Sequence, residues 1–122
     1  MYVSNLLKEH YPFMYDAYQM LDSAYHLFGC WSLAILNIDC LSTNHIDTKD
    51  WRNGFCVVLT FGDEDFVGGE LHFPLLNATL DIRPRDVAFF QSHLLLHGNN
   101  QDIIGTRHSL VLVSHNTLFN MK

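Results

Sequence analysis

The chain has 122 residues, 48% of them hydrophobic and 13% aromatic, and seven basic against thirteen acidic side chains give a formal charge of −6. Length and apolar content suit a single domain with its own core, while the charge argues against autonomous binding to a phosphate backbone, which calls for clustered positive surface. The longest apolar run, Leu27 to Leu36, is far short of the roughly 20 residues of a membrane helix; with no basic start leading into a greasy segment, a soluble, unsecreted chain, intracellular in the nucleus or cytoplasm, is expected.

From Ser4 to Phe28 apolar residues recur at helical spacing (Leu6, Leu7, Tyr11, Met14, Tyr18, Leu21, Tyr25). Ser4 reads as an N-cap, Pro12 as a kink or a break between two helices, and Gly29 as the stop, so residues 1–29 form a helical part. Residues 30–122 change to short β-rich runs punctuated by Gly, Pro, Asn and Asp: "WSLAILNI", "FCVVLTFG", "GELHFP", "ATLDI", "DVAFF", "HLLLH" and "RHSLVLVSH". Six or seven strands without an intervening helix predict an antiparallel sandwich or barrel. Gly68 and Gly69 read as the turn that opens "ELHFP", and Trp31 and Trp51 as core aromatics. Cys30, Cys40 and Cys56 are odd in number, sit in apolar contexts and form no CxxC pair, as buried free thiols do in a reducing compartment.

Eight histidines direct attention to metal-ligand spacing. His45 and Asp47 are two apart, which in extended chain puts both side chains on one face. Alone, HxD is ordinarily a solvated turn. Its meaning changes because His97 follows fifty residues after Asp47, and Arg107 opens the last strand ten residues later. Two imidazoles and a carboxylate make the facial triad of non-haem iron(II) oxygenases, which leaves three positions open. Such an oxygenase also holds the remote carboxylate of 2-oxoglutarate, for which Arg107 offers a bidentate fork and Ser109, on the same strand face, a hydroxyl. His93 and His108 flank these motifs and read as structural or exposed, His108 having the opposite strand parity to Arg107.

With these motifs in place, the segment from about Asn37 to His115 resembles the double-stranded β-helix (jelly-roll, cupin-like) core of the 2-oxoglutarate/iron(II) dioxygenases. It is most similar to the TET/JBP-like branch, including its fungal-type members. The matching text is "NHIDTKDWRNGFCVVLTFG", "GGELHFP", "RPRDVAFFQSHLLLHG" and "GTRHSLVLVSH", about two-thirds of the chain. The prolyl-hydroxylase-like branch shares a "GGEL.FP"-type strand but typically carries lysine where this chain has Arg107.

The resemblance implies one oxygenase domain over residues 1–122: a mainly β double-stranded β-helix preceded by one or two helices. The implied cofactors are Fe(II), 2-oxoglutarate and O2, with His45, Asp47 and His97 on iron and Arg107 and Ser109 on the far end of 2-oxoglutarate. The implied reaction hydroxylates a methyl group, first of all on a nucleobase such as 5-methylcytosine or thymine in DNA, coupled to formation of succinate and carbon dioxide. Asp50 and His115 match positions that contact the polar edge of a flipped-out pyrimidine. His115 is eight residues beyond Arg107, roughly 26 Å of straight strand, so it reaches a shared pocket only if the chain bends back after Val113. Phe55, Val57, Phe89 and Leu95 are expected to supply dry walls. DNA-acting members carry a longer N-terminal part, whereas 44 residues precede His45 in this acidic chain. The alternatives are a prolyl-hydroxylase-like or small-molecule oxygenase, and a non-enzymatic cupin-like binding module.

Overall fold

In a computed structural model of the chain, residues 1–38, 41–99 and 102–119 are described; Cys40 lies outside them. Two helices come first, α1 (Tyr2–His10) and α2 (Pro12–Gln19). Pro12 is the first residue of α2, and Tyr11 between the helices has φ −138° and ψ 65°. Proline tolerates a first-turn position but cannot continue the helix before it, so the predicted break is observed rather than a kink. Ser4 is not the cap. It is buried within α1, and its Oγ accepts the Cys30 N–H at 3.0 Å, fastening the helix to the entrance of the β region.

Gly29 does not stop a helix either, since α2 ends at Gln19 and only a short 3-10 turn, Ser23–Tyr25, intervenes. It has φ +63° in a tight turn closed by Phe28 and Trp31, and a Cβ there would run into Ser4 Oγ. The glycine is required by close approach of the two segments.

Eight strands follow: β1 (Leu33–Ile38), β2 (Ser42–His45), β3 (Cys56–Gly62), β4 (Leu71–Phe73), β5 (Ala78–Leu80), β6 (Val87–Phe90), β7 (His97–Asn99) and β8 (Arg107–Val113). They form two four-stranded antiparallel sheets, ordered β1-β8-β3-β6 and β2-β7-β4-β5. Apart from the β4–β5 hairpin, successive strands thus shuttle between facing sheets, the winding of a double-stranded β-helix. A last short helix, α3 (Asn116–Phe119), lays Phe119 flat on Trp51, with ring centroids 3.7 Å apart.

Side-chain alternation divides the core. One face of the larger sheet carries Val57, Leu59, Val87, Phe89, Leu110 and Leu112 against Val3, Leu7, Tyr18 and Trp31 beneath the helices. Its other face carries Cys56, Val58, Ala88, Phe90, Val111 and Val113 toward Leu71 and Phe73 of the smaller sheet. Tyr18 is clamped twice, its hydroxyl donating to Phe55 O and accepting from Phe55 N. Trp31 Nε1 donates to the same carbonyl at 3.0 Å.

Two expectations change on this frame. "HLLLH" is not a strand: residues 92–95 turn, with Leu94 N and Leu95 N both donating to Gln91 O, and β7 begins at His97 instead of ending there. Phe55, Val57 and Phe89 pack toward the helices, on the opposite side of the sheet from the cavity described below. The reason is parity. Arg107 and Ser109 share a face with Val111 and Val113, and across the sheet that face continues through Val58 and Cys56, not Val57.

Candidate active site

A cavity of about 330 Å³ opens between the two sheets, lined by His45, Asp47, Asp50, His97, Arg107 and Ser109 together with Ile35, Val58, Leu71, Phe90, Val111 and Val113, among others. Strand register brings the histidines together: His45 of β2 and His97 of β7 are direct cross-strand partners, and their ring centroids lie 4.5 Å apart. Asp47, two residues past His45, is anchored by its N–H donating to Ser92 O at 3.0 Å. Its Oδ1 is 3.1 Å from His45 Nε2 and its Oδ2 is 3.1 Å from His97 Nε2. One ligand atom from each of the three residues lies within 4.8 Å of the others.

The tautomers follow from chemistry. His45 Nδ1 is 2.8 Å from Thr43 O, and His97 Nδ1 is 2.6 Å from Leu95 O. A carbonyl only accepts, so both Nδ1 atoms carry the proton. Each ring therefore turns its Nε2 toward Asp47, where that nitrogen donates to the carboxylate and, once its proton is displaced, would offer a lone pair to a metal; the backbone fixes ring orientation as outer partners of metal-ligating histidines do. This donor set, two imidazoles and a carboxylate on one side of a partly open cavity, fits a divalent iron with positions left for co-substrate. Burial alone raises the Asp47 carboxyl, but hydrogen bonds and charge from His97 and His45 outweigh it and hold the group below its ordinary value. For His97, burial pushes down while Asp47 and the Leu95 carbonyl push up more strongly, leaving it raised.

Arg107 is only 4% exposed at the start of β8. Burial lowers its pKa, opposed by the charges of Glu70 and Asp81. Gly69, with φ +72°, makes room for it: a Cβ there would sit 2.7 Å from Arg107 Cδ and 2.9 Å from Nε. Beyond opening "ELHFP", the glycine pair thus does two jobs, for Gly68 at φ +90° packs its α-carbon against the Asp102 carbonyl. Ser109 Oγ accepts from Asn37 Nδ2 at 3.3 Å.

Asp50 is 8% exposed and lines the same cavity. Burial is the main cause of its raised pKa; the neighbouring Asp47 charge adds to this, and the Ser92 hydrogen bond with the His115 and His97 charges opposes it. His115 is paired with Asp50 through an isolated antiparallel bridge. His115, however, lines a separate hollow with Tyr25, Leu27, Ser32, Leu33, Thr117 and Leu118 and is not among the residues around the main cavity. The expected convergence of Asp50 and His115 over one pocket is not seen. β8 ends at Val113, Ser114 Oγ is taken by Ser32 N–H, and the chain turns into α3, so strand alternation no longer aims residue 115 inward.

Four lining or anchoring residues were not singled out from sequence: Asn37, Cys56, Ser92 and Asn99. Asn37 had a signal, an amide within the apolar run "LAILNI", where β-propensity disfavours it. Asn99 Oδ1 accepts from both Ser42 N (2.9 Å) and Ser42 Oγ (2.7 Å), tying β2 to β7 beside the histidines. Nothing in the local pattern marks Cys56 or Ser92. His93 and His108 are structural, as expected: His93 Nδ1 donates to Asp50 O, and the His108 ring packs edge-on to Phe61.

A β-helix with a two-histidine, one-carboxylate cluster and a buried arginine in one cavity defines the class of the non-haem iron, oxoacid-dependent oxygenases. Over residues 1–116 the chain matches the model of the Tet_JBP family, the oxygenase domain of the 2OGFeDO superfamily, and it belongs to that family. The superfamily uses Fe(II), 2-oxoglutarate and O2. Among solved structures, NgTET1 in complex with 5mC DNA is similar in fold, with a TM-score of 0.76 and 22% sequence identity over 93% of this chain. The chain spans about half of that protein, 46% of its length. No curated protein is significantly similar to it in sequence. Among the described residues no helix is long and apolar enough to cross a membrane.

Proposed function

We propose that the protein is a 2-oxoglutarate- and Fe(II)-dependent dioxygenase that hydroxylates a methyl group on a nucleobase, such as 5-methylcytosine or thymine, inside a cell. The observation that carries this reading is the pair of Nε2 atoms converging on the Asp47 carboxylate in the cavity that also holds Arg107. His45, Asp47 and His97 hold the iron, and Arg107 with Ser109 holds the far carboxylate of 2-oxoglutarate through charge-assisted hydrogen bonds. Iron, 2-oxoglutarate and dioxygen together supply oxidative decarboxylation to succinate and carbon dioxide and delivery of one oxygen atom into a C–H bond. The chain's own contribution is to orient the reactants and keep water from them, through Val58, Leu71, Phe90, Val111 and Val113.

Asp50 faces the cavity from the loop that carries Asp47 and is placed to accept a hydrogen bond from a substrate base extruded from its stack. His115, beside Asp50 in the backbone pairing but lining a separate hollow, is the second candidate contact to the base. NgTET1, solved with 5mC DNA, supports the choice of base. The charge of −6 favours a second reading, in which a nucleoside, another small molecule or a peptide is oxidised in place of duplex DNA. Succinate formation, followed with methylated DNA, free 5-methylated nucleosides and peptides, separates these. Turnover stimulated by a methylated base supports the proposal, and turnover stimulated by peptides alone overturns it.

A further inference from the structure

The turn after β6 grips the loop bearing both carboxylates. Ser92 O accepts the Asp47 N–H at 3.0 Å, and Ser92 Oγ donates to Asp50 Oδ2 at 2.6 Å. His93 Nδ1 donates to the Asp50 carbonyl at 3.0 Å. Ser92 is 2% exposed and does not itself line the cavity, though its side chain also meets the lining residue Cys56, and it ties the proposed metal-holding carboxylate to the proposed substrate-reading one.

A carboxylate has two oxygens, and which one meets a ligand depends on a soft terminal torsion. Here Oδ2 is occupied by the Ser92 hydroxyl at short distance, while Oδ1 takes no donor from the described residues. A hydroxyl spent in donation to Oδ2 leaves Asp50 as an acceptor toward the cavity. An amino group at the 4-position of the ring satisfies that acceptor, whereas a carbonyl at the same position sets two acceptors against each other in a dry site and leaves both unpaired, which is costly.

We propose that Ser92 is a positioning residue that fixes Asp50 as an acceptor facing the cavity, so that the site selects an aminopyrimidine edge over a carbonyl one. This rests on the base-oxidation reading above. It assigns to a residue outside the cavity the discrimination between 5-methylcytosine and thymine.

The test compares succinate formation on otherwise identical substrates carrying 5-methylcytosine or thymine, for the wild type, Ser92→Ala, Asp50→Asn and the double variant. The wild type is expected to prefer 5-methylcytosine. Ser92→Ala is expected to raise KM for it and cut the preference by roughly tenfold, while Fe(II) and 2-oxoglutarate affinities stay at wild-type values. In the Asp50→Asn background the same change should move the preference no further. Ser92→Cys, whose thiol donates weakly, serves as the second variant should Ser92→Ala not fold, and should shift the ratio the same way. An unchanged ratio in a folded Ser92 variant of an active enzyme overturns this inference alone, as does an equal further shift in the Asp50→Asn background. A wild type that oxidises neither base overturns the inference together with the reading it rests on.

Discussion

Replacing Gly69 with alanine tests the oxoacid end of the site without substituting any residue that holds a ligand. At φ +72° an alanine is strained, at roughly 1–2 kcal/mol for a left-handed residue with a Cβ, which in a domain of this size lowers Tm by roughly 4–8 °C. The new methyl would lie 2.7 Å from Arg107 Cδ, 2.9 Å from Nε and 3.2 Å from Cζ. These atoms belong to a long side chain, so the guanidinium gives way before the backbone does. A hydrogen bond to a charged partner contributes roughly 1.5–3 kcal/mol, so losing one Arg107–carboxylate bond should weaken 2-oxoglutarate roughly tenfold to a hundredfold. Anaerobic calorimetric titration of the Fe(II)-loaded proteins reads this, with iron affinity measured separately and expected to stay unchanged. A folded Gly69→Ala protein that binds 2-oxoglutarate as tightly as wild type would refute the role given to Arg107.

Other expectations follow from the same geometry. Asp50→Asn should melt higher than wild type at neutral pH while losing its preference for 5-methylcytosine over thymine. Burial raises the Asp50 pKa in the folded protein, so its favourable contribution is complete below the unfolded value near 3.8 and is lost as pH rises through the folded one; thermal melts should therefore show the asparagine's advantage vanish in acid and grow toward neutrality. Chelation of the metal should lower Tm, and Fe(II) at about 100 times its Kd should restore about 2.7 kcal/mol of stability, read by melting under nitrogen. Ser4→Ala removes the acceptor of the buried Cys30 N–H and should cost about 1–3 kcal/mol in denaturant unfolding, with 2-oxoglutarate affinity untouched.

Much of the site was legible because its chemistry depends on few residue types at fixed separations. His45, Asp47, His97, Arg107 and Ser109 all line one cavity, and the helical part divides at Pro12 where its ring forces a break. What was not legible depends on register and parity. β2 reads "STNH", too polar and short to announce a strand, yet its pairing with β7 brings the two imidazoles together, with ring centroids 4.5 Å apart. The leucines before His97 look extended but turn, because Gln91 O captures two successive N–H groups. A one-residue error in facing assigned the cavity walls to Val57 and Phe89 where Val58 and Phe90 stand. Ser4 and Gly29, read as local helix signals, are halves of one long-range contact. The Asp50–Ser92 bond spans 42 residues and has no local signature at all.

Visible absorption under nitrogen tests the iron centre most directly. Adding 2-oxoglutarate to the Fe(II)-loaded protein should produce the weak charge-transfer band of the chelate, and His97→Ala, with one of three ligands removed, should abolish it. Folded wild-type protein that shows no band with both iron and 2-oxoglutarate in excess would contradict a facial iron site at His45, Asp47 and His97.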